Sequence, residues 1–295
     1  MNIGDKLKEL RKGKGLSQEQ LAEKIGVSRQ AITKWESGKG LPDIENMVIL
    51  AETFEISLDE LVSDGLTVRQ NDTEKYSPKY VNETMYNVDC TKNIDINLIS
   101  ANQIYIGTNT NESIYIKLES DTIEELESLF KIKIDDHGNR LDVDCIKKGS
   151  ISKKHMSEEL SITILLPARY TSHCEIKADV EELYMTGLGL ECMEYDGAAK
   201  KVEIKDCRGS IEFAGKSNYH MTIDQILGRL VITQLWANTV LNISKKADFK
   251  VDIKKKPVKL YWKNNGKDCE SFENDESKNL LVVNGTKSEI TINRI

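Results

Sequence analysis

The chain has 295 residues, with 41 Lys and Arg against 48 Asp and Glu, a net charge of −7 and an apolar content of 39%. This length predicts about two domains, and the composition is typical of folded rather than disordered protein. The longest apolar runs, at residues 47–51 and 162–166, are far shorter than the roughly 18 residues of a membrane-spanning helix. The N-terminus MNIGDKLKEL has no apolar signal-peptide core. We therefore expect a cytoplasmic protein with no membrane partner.

Basic charge is concentrated near the N-terminus. Residues 1–40 hold nine Lys or Arg against five Asp or Glu, a net of +4, whereas residues 41–64 hold seven acidic residues and no basic one. The rest of the chain has the mixed charge of an ordinary protein surface. The acidic total therefore does not exclude a nucleic-acid-binding function.

The hydrophobic pattern changes near residue 65. Up to residue 62 the apolar residues recur at helical spacing, and from about residue 87 they alternate or form short β-branched runs, which indicates strands. The segment between is polar, contains Pro78 and shows no sustained period. We predict a helical domain at residues 1–64, a partly flexible linker at 65–86 and a β-rich repeat domain at 87–295.

The helical domain is predicted to contain five short helices, at residues 3–12, 17–26, 28–37, 42–54 and 57–62. Ser17 and Gln20 form a capping-box pattern at the start of the second helix. Gly26 is expected to end that helix in the left-handed conformation, and Ser28 to cap the third helix.

The second and third helices have the features of a helix-turn-helix. Two helices that cross closely need a small residue at the crossing, here Ala22, and a turn residue free to adopt positive φ, here Gly26. The third helix places apolar residues on one face and polar residues on the other, the polar ones being Arg29, Gln30, Thr33, Lys34 and Ser37. In the major groove Arg pairs with guanine and Gln with adenine, while Thr offers a hydroxyl and a methyl group. This face has the chemistry of DNA reading, and an ordinary solvated helix face is the alternative.

Residues 3–63 resemble the Cro/C1-type helix-turn-helix domain of the XRE family, through the segment LSQEQLAEKIGVSRQAITKWESGKGLPDIENMVILAETFEISLDELV. The resemblance implies an all-α, five-helix domain whose helix at 28–37 enters the major groove. Gln18, Lys34 and Lys39 would then contact phosphates, and a buried ion pair would join Arg11 to Glu36. The residues that the resemblance assigns to bases or the adjoining backbone are Ser28, Arg29, Gln30 and Thr33.

The positive charge of this domain is modest. A single copy is therefore expected to bind weakly, and we predict a homodimer that reads two half-sites of a double-stranded operator about one helical turn apart.

An internal repeat occurs in the C-terminal two-thirds of the chain. VEIKDCRGSIEFAG, beginning at Val202, overlays MTIDQILGRLVITQ, beginning at Met221, at an offset of 19 residues. The aligned pairs are Ile204 with Ile223, Gly209 with Gly228, Ile211 with Leu230 and Phe213 with Ile232. A period near twenty with paired short strands predicts stacked rungs, an all-β solenoid-like domain.

The segment LSITILLPARYTSHCEIKADVEELYMTG and the rungs that follow it resemble the putative-adhesin or toastrack family, also called DUF4097, over residues 88–295. The resemblance implies a β-rich shape and no particular ligand. One departure is the segment 121–130, which is predicted to form a short helix capped by Asp121.

Chemistry other than binding is not indicated by the C-terminal region. Its Asp residues lack the regular spacing of a catalytic face, so we expect no enzyme and no cofactor. No His lies at ligand spacing from a cysteine, so we also expect no metal site. The six cysteines have no CxxC spacing and are predicted to be reduced and mostly buried. Trp236, Tyr261 and Trp262 are expected to pack in the core rather than form a stacking surface.

The sequence as a whole predicts a multidomain, sequence-specific DNA-binding transcriptional regulator, with repression favoured because small domains of this kind block promoters easily. The β domain would serve self-association or the sensing of a ligand or partner protein. The alternative is an interaction, scaffold or antitoxin-like protein whose helix-turn-helix domain only autoregulates.

Overall fold

In the computed structural model the chain forms two compact units, Met1–Thr73 and Glu74–Ile295. The residues that the structure describes are 3–37, 40, 42, 44–54, 56, 78–254 and 258–295. The predicted fifth helix and Lys39 lie outside these residues. Within the described ranges, no helix is both long enough and apolar enough to cross a membrane.

Four helices form the described part of the first unit: α1 (Ile3–Gly13), α2 (Gln18–Ile25), α3 (Arg29–Glu36) and α4 (Ile44–Phe54). Their apolar side chains meet in one core, whose buried members are Leu7, Leu21, Ala22, Ile25, Ile32, Trp35, Leu50, Ala51 and Phe54. The first four predicted helices are confirmed to within two residues at each end.

The second unit contains twenty strands and two short helices among its described residues. The first ten strands are β1 (Tyr80–Asn87), β2 (Lys92–Asn97), β3 (Ala101–Asn109), β4 (Ser113–Ser120), β5 (Phe130–Asp136), β6 (Arg140–Lys147), β7 (Ser161–Pro167), β8 (Thr171–Lys177), β9 (Val180–Thr186) and β10 (Gly189–Asp196). The others are β11 (Ala199–Lys205), β12 (Arg208–Gly215), β13 (His220–Ile223), β14 (Leu227–Leu235), β15 (Asn238–Ile243), β16 (Lys250–Ile253), β17 (Val258–Asn264), β18 (Lys267–Asp268), β19 (Leu280–Thr286) and β20 (Ser288–Arg294). The helices are α5 (Leu126–Leu129) and α6 (Lys153–Glu159).

The strands form two sheets that face each other across one core. The larger sheet has the order β1-β4-β7-β3-β9-β11-β13-β15-β20-β17-β18, and the smaller has the order β16-β19-β14-β12-β10-β8-β2-β6-β5. From β8 to β15 the chain alternates between the sheets, so each pair of consecutive strands is one rung of a parallel stack. The predicted all-β, solenoid-like domain is confirmed.

The predicted sequence repeat corresponds to the strand register of this stack. Ile204 pairs with Ile223 between β11 and β13, and Gly209 pairs with Gly228 between β12 and β14. Both glycines have positive φ, and an added Cβ would lie 1.9 Å from the Leu190 carbonyl oxygen at Gly209 and 2.4 Å from the Gly209 carbonyl oxygen at Gly228. Glycine recurs at this offset because successive rungs approach too closely here for any side chain.

The two ends of the stack are built out of chain order. The rung β6–β7 lies outside β2–β3 at one end, and the rung β16–β17 lies outside β19–β20 at the other. The strands β1, β4 and β5 extend the first end in antiparallel pairing. The repeat does not predict this interleaving, because its offset relates only the central rungs.

Two local predictions are corrected by the structure. The last residues of the predicted linker, from Tyr80 onward, form β1, so regular β structure begins earlier than expected. The helix predicted at 121–130 is reduced to α5, and its N-cap is Glu125 rather than Asp121. The Asp121 carboxylate instead accepts a hydrogen bond from the backbone N–H of Lys79 at 3.2 Å.

Several burial predictions hold only in part. Trp262 packs against Phe272 at a ring-centroid distance of 4.8 Å, as expected for a core residue. Trp236 is 68% exposed and Tyr261 is 41% exposed, so core packing is wrong for both. All six cysteines are free thiols. Three of them, Cys145, Cys174 and Cys207, are buried, whereas Cys90 and Cys269 are exposed.

Candidate DNA-binding surface

The turn between α2 and α3 fixes the angle of the two helices. Gly26 ends α2 in the left-handed conformation, with φ +74°. The next residue, Val27, donates its backbone N–H to the Ala22 carbonyl oxygen at 3.0 Å. Only residues 26–28 separate the helices, and the small, buried Ala22 lies in α2 beside the turn. This is the compact helix-turn-helix connection that the sequence predicts.

Both helix starts carry side-chain caps. Ser17 accepts a hydrogen bond from the Gln20 backbone N–H at 3.1 Å, and the Gln20 side chain accepts one from the Ser17 N–H at 2.8 Å. Ser28 accepts from the Ala31 N–H at 3.2 Å. The predicted capping box and the predicted Ser28 cap are therefore confirmed. Because Ser28 is used in this way, its hydroxyl orders the start of α3.

Helix α3 divides into a buried and an exposed face. Ile32 is fully buried and Trp35 is 7% exposed. The opposite face presents exposed polar residues, among them Ser28, Arg29, Gln30, Thr33 and Lys34. These are the predicted base-facing residues together with Lys34, and the structure brings them onto one surface.

A buried ion pair holds the end of α3 against α1. The guanidinium of Arg11 donates from Nε to Glu36 Oε1 at 2.6 Å and from Nη2 to Glu36 Oε2 at 2.9 Å. The third nitrogen, Nη1, donates to the Leu16 carbonyl oxygen at 2.7 Å. The whole residues Arg11 and Glu36 are each only 8% exposed. This two-pronged geometry fixes the direction of α3 and not merely its position.

The electrostatics of the pair favour its charged form. Burial alone would raise the pKa of Glu36, but the hydrogen bonds from Arg11 and Gln18 outweigh burial and hold that pKa below its ordinary value. The hydrogen bond to Glu36 raises the pKa of Arg11 in turn. The pair therefore stays ionised at neutral pH.

Gln18 has a role that the sequence does not reveal. Its side-chain amide nitrogen donates to Glu36 Oε2 at 2.8 Å, and its amide oxygen accepts from the Thr33 hydroxyl at 3.1 Å. Gln18 thus links α2 to both the buried pair and the exposed face of α3. Sequence spacing gave no signal of this link, because the three residues are brought together only by the crossing of α2 and α3.

The exposed residues of this surface differ in how firmly they are held. Thr33 also lies within hydrogen-bond distance of the Arg29 carbonyl oxygen, at 3.0 Å. The guanidinium of Arg29 lies 3.6 Å from Glu19, and both side chains are more than 60% exposed, at 64% and 71%. Such an exposed pair contributes little energy, so Arg29 is free to exchange Glu19 for another anion or acceptor.

Comparison with known proteins places the N-terminal unit. Residues 7–61 match the family HTH_3, described as Helix-turn-helix. The N-terminal domain of this chain is a helix-turn-helix domain of that family.

Two curated relatives each match part of this chain. The chain is 47% identical over 77 residues to the HTH-type transcriptional activator BcrR of Enterococcus faecalis, a match that covers 26% of this chain and 38% of that protein. It is 46% identical over 61 residues to the cryptic phage CTXphi transcriptional repressor RstR of Vibrio cholerae, covering 21% of this chain and 54% of RstR. The chain therefore spans at most about half the length of these two relatives.

Solved structures match each of the two units. The P22 c2 repressor in complex with a synthetic operator is 31% identical with a TM-score of 0.21, and the match covers 21% of this chain and 94% of the repressor. A "putative cell adhesion protein" from Clostridium sporogenes is 14% identical with a TM-score of 0.36, and the match covers 74% of this chain and 100% of that protein.

Proposed function

We propose that this protein is a sequence-specific, double-stranded-DNA-binding transcriptional regulator whose helix α3 reads the major groove. The observation that carries the proposal is the braced, exposed polar face of α3. This face carries side chains of the types that pair with bases in the major groove. The hydrogen-bond network of Arg11, Glu36 and Gln18 holds helix α3 in place. The two curated relatives bear the names of a transcriptional activator and a transcriptional repressor, which supports regulation as the role.

Each residue of the surface has a separate part in the proposal. Arg29, Gln30 and Thr33 face base edges, and Ser28 faces the adjoining backbone. Lys34 and Lys39 contact phosphates, as does the start of α2 at Gln18. Because the Gln18 side chain is already bonded to Glu36 and Thr33, its phosphate contact would come from its backbone N–H and the helix N-terminus.

The mode of action and assembly complete the proposal. Repression fits a small domain that occupies promoter DNA. A homodimer supplies two reading helices for half-sites about one turn, roughly 34 Å, apart. The β domain would then provide self-association, the sensing of a ligand or partner protein, or both.

The proposal is tested by selecting bound duplexes from a random pool with the full chain at about 0.15 M salt. We expect a palindromic site. Arg29→Ala should cost about 1–3 kcal/mol on that site and relax the preference at one base pair, whereas Lys34→Ala should weaken all sequences alike. Both residues are exposed, so neither change should unfold the domain. Equal losses on selected and random DNA for Arg29→Ala would contradict base reading by α3.

A further inference from the structure

The free edges of the two sheets differ in how they are protected. The smaller sheet ends in β5, whose seven residues include Lys131 and Lys133, and in β16, which has only four residues. The larger sheet ends at one side in β18, which has two residues. Short length and inserted lysines are the devices by which proteins keep edge strands from pairing with other chains.

The fourth edge, β1, lacks those devices. It has eight residues, YVNETMYN, with one charged side chain and no proline or lysine. It pairs with β4 in an unbroken antiparallel register, from Tyr80 opposite Ser120 to Asn87 opposite Ser113, and no described strand pairs with its other side. Val81 and Met85 on its outer face are 38% and 64% exposed. An edge that is long and regular, with two exposed apolar side chains on its outer face, is one that can pair with another strand.

The strand is also held ready for pairing. The Tyr80 hydroxyl donates to Glu124 at 2.6 Å, and the Asn82 side chain donates to the Leu126 carbonyl oxygen at 3.4 Å. The Tyr86 hydroxyl donates to Asp136 at 3.0 Å. These bonds fix the inner face of β1 to the end of the β domain, so little backbone entropy remains to be lost when a second strand is added.

We infer that β1 pairs antiparallel with β1 of a second copy of this chain, with Thr84 on the two-fold axis. In a two-fold antiparallel pair, two residues directly opposite each other have their side chains on the same side of the sheet. Because side chains alternate along a strand, the two residue numbers are both even or both odd, so their sum is even. Two registers keep seven paired residues within the strand. One sets Glu83 against the partner's Glu83, which is unfavourable because like charges are opposite. The other sets Glu83 against the partner's Met85 and Thr84 against the partner's Thr84.

This pairing fits the dimer of the proposed function. Tyr80 and the partner's Tyr80 would lie at opposite ends of the strand pair, about 26 Å apart at roughly 3.3 Å per residue. Half-sites are separated by roughly 34 Å, and 25 residues of chain lie between Phe54 at the end of α4 and Tyr80. The link to half-site spacing rests on the proposed function, but the pairing itself does not require DNA.

The test compares two charges at one exposed position, using the full chain in sedimentation equilibrium without DNA. Met85→Glu places a carboxylate opposite the partner's Glu83, and the two-fold symmetry repeats this like-charge contact in the other half of the pair. The dimer dissociation constant should therefore rise about tenfold or more. Met85→Lys forms two opposite-charge pairs at the same place and should leave the dimer as tight or tighter. Leu235→Glu, at a 44% exposed site on β14, is the matched control and should change nothing.

Cross-linking tests the register directly. In the Cys90→Ser, Cys269→Ser background, which removes the exposed thiols, Thr84→Cys should form a disulfide-linked dimer because residues directly opposite lie about 4.5–5.5 Å apart between Cα atoms. Asn87→Cys should not, because its opposite residue is the partner's Val81.

Three results would overturn the inference: a monomeric full chain at about 0.1 mM, a dimer indifferent to Met85→Glu, or equal weakening by the Glu and Lys variants. None of these would bear on base reading by Arg29. Conversely, a β1 dimer that selects no DNA sequence would overturn the proposed function and leave the strand pairing intact.

Discussion

Replacing Arg11 with Met tests how the reading helix is held. Arg11→Met leaves the Glu36 carboxylate buried and removes the donor to the Leu16 carbonyl oxygen. Among the described side chains, Gln18 still donates a hydrogen bond to Glu36. Breaking a buried pair from one side costs about 3–5 kcal/mol. A small domain has about 5–15 kcal/mol of stability in total, so the variant should lie close to unfolding.

The pH dependence of this cost identifies its cause. In the native protein the pKa of Glu36 is lowered, so the pair stabilises the fold above the unfolded-state pKa of about 4.3, and that contribution is lost as pH falls through the lowered value. In Arg11→Met burial dominates and should raise the pKa of Glu36 above its ordinary value. Ionisation then destabilises the variant, so the difference from the native protein should be largest near pH 7 and shrink toward pH 4.

The assay is urea unfolding of the full chain followed by circular dichroism at 222 nm, because four of the six described helices belong to the first unit. Arg11→Met combined with Glu36→Leu removes both charges and should recover about 2–3 kcal/mol of the single-variant loss. Arg29→Ala, which breaks only the exposed pair with Glu19, is the control and should cost less than about 1 kcal/mol. Additive losses in the double variant, or a loss that does not vary with pH, would refute the reasoning.

Two further predictions concern the β domain. Gly228→Ala should destabilise it by at least about 2 kcal/mol in thermal or urea unfolding, because the new Cβ would lie 2.4 Å from a carbonyl oxygen, whereas Gly189→Ala, with nothing within 4 Å, should be nearly neutral. At pH 8 a thiol reagent should modify Cys90 and Cys269 at once and Cys174 only on unfolding, because burial raises the pKa of the Cys174 thiol. Rapid reaction of Cys174 would contradict the packing of β8.

Features set by local chemistry could be predicted from the sequence. The cap at Ser17, the left-handed stop at Gly26 and the first four helices depend on residues a few positions apart, and periodicity or capping patterns record them directly. The central rungs could also be predicted, because in a parallel stack the sequence offset between repeats equals the register of the paired strands. The offset of 19 that joins Ile204 to Ile223 is the pairing of β11 with β13.

Features set by tertiary contacts could not be predicted in this way. From the sequence alone, Gln18 is a polar residue at the start of a helix. Its hydrogen bonds with Glu36 and Thr33 form only because α2 and α3 cross. Core packing is the sequence-based prediction for Trp236, but this residue lies at a corner between β14 and β15 with φ of +50° and a 68% exposed side chain. The place of a corner residue depends on where the rung turns, and composition does not record that.

The interleaved ends of the stack connect these observations to assembly. In a simple repeat array the terminal rung is also the end of the chain, so it can separate without disturbing its neighbours. Here β19–β20, the last rung in the chain, lies between β14–β15 and β16–β17, with Leu281 and Ile292 fully buried. At the other end β2–β3 is enclosed by β6–β7. Neither rung can leave without exposing two apolar neighbours, so the first and last parallel rungs in chain order should be as firm as the central ones. The edge strand β1 lies beyond these rungs and is held by its own side-chain hydrogen bonds, from Tyr80, Asn82 and Tyr86. This makes β1 a suitable edge for a second copy, because a strand that frayed would offer no fixed register for pairing.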